Sequence, residues 1–124
     1  MDKDYADKIL QDNTKFVVVT AEIGHGVPMA VALKLKHAAG VRIVSERIRH
    51  LQWMDELHSA GFPTSKVSCM TTHKFLSDGL CDWSVHGAVL VDLRGHAPSS
   101  KICGRVFTSL LRAFHTLELV VVLV

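Results

Sequence analysis

Ala88-Val-Leu-Val-Asp-Leu-Arg-Gly-His-Ala-Pro-Ser-Ser100, the patterned run after it, and Leu117-Glu-Leu-Val-Val-Val-Leu-Val124 together decide the fold. Ala88–Val91 is a short apolar run that stops at Asp92, the pattern of a strand covered on both faces. Gly95 and Pro98 break the chain, and Ser99 or Ser100 can cap a helix beginning just beyond them. Ile102, Val106, Leu110 and Phe114 then recur at helical spacing. Leu117–Val124 is apolar again and far too short to cross a bilayer, so it reads as another buried strand. Two strands without polar alternation, joined through a helix, predict a parallel β-α-β unit.

The same alternation extends toward the N-terminus. Phe16–Val19 is β-branched and precedes the Gly24-His25-Gly26 loop. Pro28 suits the first turn of a helix, where its missing N–H costs nothing. That helix is expected to run to about Ala39 and stop at Gly40. Val41–Val44 reads as a strand, followed by a helix from about Ile48 to Ala60 with Ile48, Leu51 and Leu57 on one face. Trp53 in that helix is read as a core residue. Val67–Met70 is a third strand, and Thr72 is expected to cap a two-turn helix through Phe75 and Leu76, closed by Gly79. Five strands alternating with helices predict an α/β fold, a three-layer, mostly parallel five-stranded sheet in a single domain spanning 1–124. Ligands in such sheets sit at the carboxyl ends of the strands, so the loops there are where function is sought.

Composition excludes several classes. Apolar residues make up 48% of the 124, enough for a core and too many for a disordered chain. Fourteen Lys and Arg against twelve Asp and Glu leave a net charge of +2, too small to announce nucleic-acid binding by itself. The cysteines, Cys69, Cys81 and Cys103, are odd in number and form no C-x-x-C pair, so they read as reduced thiols in an intracellular protein. The polar, acidic opening Met1-Asp-Lys-Asp4 does not resemble a signal peptide.

The loop after the first strand, Ala21-Glu-Ile-Gly-His-Gly-Val-Pro-Met29, lies where a phosphate-binding loop belongs. Such a loop needs a Lys for the β and γ phosphates and a Ser or Thr for Mg²⁺. Val27 stands at the lysine position, and Pro28 and Met29 come next. After the fourth strand comes Asp92-Leu-Arg-Gly-His96. Asp92 could hold Mg²⁺, but Leu93 cannot act as a base. His96 has no nearby partner in the sequence at metal-ligand spacing.

Taken together these segments resemble the first RecA-like domain of superfamily 2 RNA helicases of positive-strand RNA viruses, the flavivirus, hepatitis C virus and potyvirus type. Ala21–Met29 aligns with their A-P-T-G-S-G-K-S-T loop, and Ser45-Glu-Arg-Ile-Arg49 is similar to L-E-P-T-R. Met70-Thr-Thr-His-Lys-Phe-Leu-Ser-Asp-Gly79 resembles S-T-Y-G-K-F-L-A-D-G, the most specific match. Val89-Leu-Val-Asp-Leu-Arg-Gly95 sits where I-I-C-D-E-C-H should be, and Leu119–Val124 corresponds to the strand before a T-A-T motif. Against that pattern the lysine has become Val27, the Mg²⁺-holding hydroxyl Pro28 or Met29, the glutamate Leu93 and the histidine Gly95. The second RecA-like domain, which supplies the arginine finger in that family, is not represented.

The resemblance therefore implies a helicase-like fold without its engine. The expected function is a non-enzymatic structural or interaction protein of viral origin, with no ATPase activity and no cofactor. Its partner would be a second copy of itself or a capsid or replication protein, in the host cytoplasm or the virion, with no membrane association. The contact is expected around Gly24–Met29 and Asp92–His96 and at Trp83, which lies in the Cys81–Ser84 loop. The alternative is a single-stranded RNA-binding accessory domain. The resemblance places Arg49, Thr71 and His73 at RNA-contacting positions, and Arg47 and Lys74 add charge beside them.

Overall fold

The computed structural model describes residues 2–11, 13–19, 27–78, 87–97, 99–113 and 117–124. Within them lie α1 (Asp2–Gln11), β1 (Phe16–Val19), α2 (Val27–Leu35), β2 (Val41–Ser45) and α3 (Arg47–Ser59). A short 3₁₀ turn at Thr64–Lys66 leads to β3 (Val67–Thr71), α4 (Thr72–Asp78), β4 (Ala88–Asp92), α5 (Lys101–Ala113) and β5 (Leu119–Leu123). The five strands form one sheet in the order β1-β5-β4-β2-β3, and every neighbouring pair is parallel. This is the expected three-layer α/β arrangement of the RecA-like or Rossmann type.

The period-2 alternation of the strands divides the core into two layers. Val17, Val19, Val41, Ile43, Ala88, Leu90, Val121 and Leu123 face one side and pack against residues of α1, α2 and α3. Val44, Val89, Val91, Val120 and Val122 face the other and pack against Phe75 of α4 and Cys103, Val106 and Leu110 of α5. Phe16 and Phe107 stack at 6.1 Å beside this second layer. The central strands read as continuous apolar runs because both faces are covered, whereas edge strand β1 leaves Val18 half exposed.

Several element boundaries and faces differ from expectation. The polar opening is helical: α1 sends Ile9 into the first layer and contacts α2, a helix with no apolar run to announce it. Helix α2 ends at Leu35, before Gly40, because Lys36 and Ala38 donate i−3 bonds that tighten the chain into a turn. In α3 the buried residues are Trp53 and Leu57, one turn apart, whereas Ile48 and Leu51 face solvent. The cap of α4 is Thr71, whose Oγ1 accepts the backbone N–H of Lys74 at 3.1 Å; Thr72 lies inside the helix and is buried. Ser100 caps α5 by accepting the Cys103 N–H at 3.3 Å, and the buried face of that helix holds Cys103 rather than Ile102. Cys69 and Cys103 are free thiols; Cys81, Gly79 and Phe114 lie outside the described residues. No described helix is long and apolar enough to cross a membrane.

Candidate functional site at the carboxyl ends of the strands

Strand order locates the site. From β4 the chain moves through α5 to β5 on one side, and from β2 it moves through α3 to β3 on the other. Helices α3 and α5 cover opposite faces. The loops leaving β2 and β4, which are neighbours in the sheet, therefore diverge and open a crevice between them, the place where parallel sheets bind ligands.

Asp92 ends β4 on the α3 face, and its side chain is fully buried. The Trp53 indole N–H donates to Oδ2 at 2.8 Å. Arg94 donates its Nε–H at 2.9 Å to Oδ1 and its backbone N–H at 3.0 Å to the same oxygen, and its Nη2 reaches Oδ2. The guanidinium also lies over the Trp53 ring, 5.9 Å from its centre. The local turn makes this possible. His96 N–H bonds back to the Leu93 carbonyl at 3.1 Å, with Gly95 at φ +99°, a conformation that favours glycine. The chain thus folds over itself and returns Arg94 to the carboxylate two residues earlier.

Burial alone would raise the Asp92 pKa. The Arg94 and Trp53 hydrogen bonds outweigh that and hold the carboxyl below its ordinary range. The carboxylate is ionised, but its charge and lone pairs are already engaged. A Mg²⁺ ion would have to displace a bidentate guanidinium from a buried position, where such pairs are strongest. Leu93, which the helicase resemblance would set at the glutamate position, is fully buried in the opposite layer beneath α5. Adjacent strand positions point to opposite faces, so residues 92 and 93 do not share one pocket.

On the α4–α5 side the crevice is a cavity of about 300 Å³ lined by Glu46, Thr72, His73, His96 and Arg105, with Leu76 and Ile102 as its apolar wall. His96 Nε2 meets Glu46 Oε1 at 3.1 Å across the β2–β4 gap, a pairing of residues 50 positions apart. The Thr72 hydroxyl is buried and has no hydrogen-bond partner among the described residues. Among the same residues no group of three or more His, Cys, Asp or Glu side chains is arranged to hold a metal ion.

The other sequence-derived candidates are not gathered into one site. Arg47 is exposed at the start of α3, and Arg49 is half-buried. Thr71 is committed to capping α4, and exposed Lys74 pairs with Asp78 at 3.5 Å. His73 alone of this group lines the crevice. Met29 is partly exposed on α2, while Gly24, His25, Gly26 and Trp83 lie outside the described residues, and α2 begins with Val27 and Pro28. Sequence reading missed Arg94 and Glu46. Asp-x-Arg around a glycine turn was a usable signal for the first; nothing local marked the second. No protein-family model, no curated protein and no solved structure matches this chain.

Proposed function

We propose that this chain is a non-enzymatic interaction domain, a RecA-like fold that works by protein contact at the carboxyl edge of its sheet. The observation that carries the reading is what that edge offers. Its buried carboxylate is held by Arg94 and Trp53, while Met29, Ile48 and Leu51 on the first turns of α2 and α3 are 37%, 77% and 74% exposed. Ile48 and Leu51 stand one turn apart and form a bare aliphatic step beside Glu46. Exposed apolar clusters next to a polar rim are typical of contact surfaces. The helicase resemblance supports reading it as an assembly or accessory component of a virus, and self-association through this step is the simplest form of the contact.

Light scattering over a concentration series tests the reading. The wild-type chain is expected to associate, and Ile48→Asp with Leu51→Asp is expected to leave a folded monomer. A wild-type chain that stays monomeric at millimolar concentration, or an association untouched by the double substitution, refutes it.

A further inference from the structure

We infer that the outer face of α5 is a binding track for the sugar-phosphate backbone of a single-stranded nucleic acid, leading into the crevice at the strand ends. This goes beyond the contact reading and does not rest on it, because it uses a different surface. Lys101, Arg105 and Arg112 stand at i, i+4 and i+11, a spacing that returns to one side of a helix. All three are exposed, and among the described residues none is in an ion pair. They line an open groove of about 590 Å³ with Thr108, Ser109 and Leu76, and among the described residues no carboxylate lines it. At 1.5 Å per residue the cations rise by about 6 Å and then about 10 Å, a row about 16 Å long. Arginine forks are the usual partners of phosphate oxygens, whereas the Thr108 hydroxyl donates to the Gly104 carbonyl at 2.9 Å.

Gly104 forms part of the same groove. A glycine inside a helix costs about 1 kcal/mol relative to alanine. Here a Cβ at 104 would meet nothing within 4 Å among the described residues. The space it leaves opens on the groove, where a backbone can approach closely. The track is also continuous with the crevice, since Arg105 and Leu76 line both. A row of cations ending in a pocket with both polar (Thr72, His73, His96) and apolar (Leu76, Ile102) walls complements a nucleotide chain, which carries phosphates along one edge and can place a base at the end. A run of acidic side chains alone, such as polyglutamate, offers no planar group to such a pocket, and a flat lipid surface reaches the cations without filling it. A single row addresses one strand rather than the two of a duplex.

The test is fluorescence anisotropy with a labelled ten-nucleotide single strand across a salt series. Three phosphate contacts predict a log–log salt slope of about −2, or roughly 20-fold weaker binding between 50 and 200 mM salt. Lys101→Ala, Arg105→Ala and Arg112→Ala are each expected to reduce that slope by about 0.7 without changing the thermal unfolding midpoint. Gly104→Leu is expected to lower affinity at least fivefold while the circular dichroism spectrum stays native. The inference is overturned by any of three results. These are no saturable binding at 50 mM salt, an affinity unchanged by the triple alanine variant or by Gly104→Leu, and polyglutamate or anionic lipid vesicles binding as tightly as the oligonucleotide.

Discussion

Asp92 and Glu46 stand at the same crevice, one ending β4 and the other just after β2, and each is paired with a cation or potential cation. Asp92 is buried, with its partners Trp53 and Arg94 packed around it. Glu46 is more than half exposed, and its carboxylate meets His96 through a single bond at 3.1 Å. The contrast shows why an acidic residue at the end of a strand need not be a site. Removing a carboxylate from water demands that its charge be met from within the protein. Arg94 meets it, and the carboxylate becomes structure. Glu46 remains in contact with solvent and with the cavity, so it is the one still able to respond to a bound group.

The largest expected effect is at Leu93. Leu93→Glu restores the hydrolytic letter but buries a carboxyl in the apolar layer under α5, at a cost of about 4 kcal/mol or more. Urea unfolding is expected to show that loss, and a phosphate-release assay is expected to show no ATP turnover, even with Val27→Lys added. Turnover above background would mean that residues 92 and 93 can reach one pocket after all.

Next in size is the Arg94 side of the buried pair. Arg94→Ala strands a buried charge and is expected to cost about 3 kcal/mol, the low end for a buried pair because Arg94 is one-quarter exposed. Asp92→Leu combined with Arg94→Leu should recover most of that loss, since apolar replacement of both partners removes the unpaired charge. The folded-state pKa of Asp92 lies below its unfolded value, so its contribution to stability is present above the ordinary carboxylate range. It is lost as pH falls through the folded pKa. Urea midpoints measured across that acid range should therefore fall in the wild type, and the part due to residue 92 should be absent in Asp92→Asn.

The smallest effect belongs to the exposed member of the contrast. Glu46→Gln should change stability by only about 0–1 kcal/mol, as for exposed pairs generally. A loss matching that of Arg94→Ala, in the same unfolding experiment, would place Glu46 in the structural class with Asp92.

Much of this molecule is written locally. The five apolar runs, the serine before α5 and the helical recurrence of Val106 and Leu110 are short-range features, and short-range sterics and hydrogen bonding make them strands, a cap and a buried helix face. The incapacity of positions 27 and 93 is equally local, because no environment gives valine a charge or leucine a proton to exchange. Strand order was not legible, since β5 inserts between β1 and β4 through contacts distant in the chain. Trp53 and Leu57 of α3 were read as buried and are, but the exposure of Ile48 and Leu51 was not legible, because Trp53 takes the buried face where Asp92 offers its indole an acceptor. The helix at the N-terminus was not legible either, because it has no apolar run, and among the described side chains Ile9 is the part of it that enters the core, with packing on α2. By itself the sequence determined the alternation of strands and helices. Only the tertiary structure decided which side chains meet at the β2–β4 crevice, because that depends on loops far apart in sequence converging where two crossovers diverge.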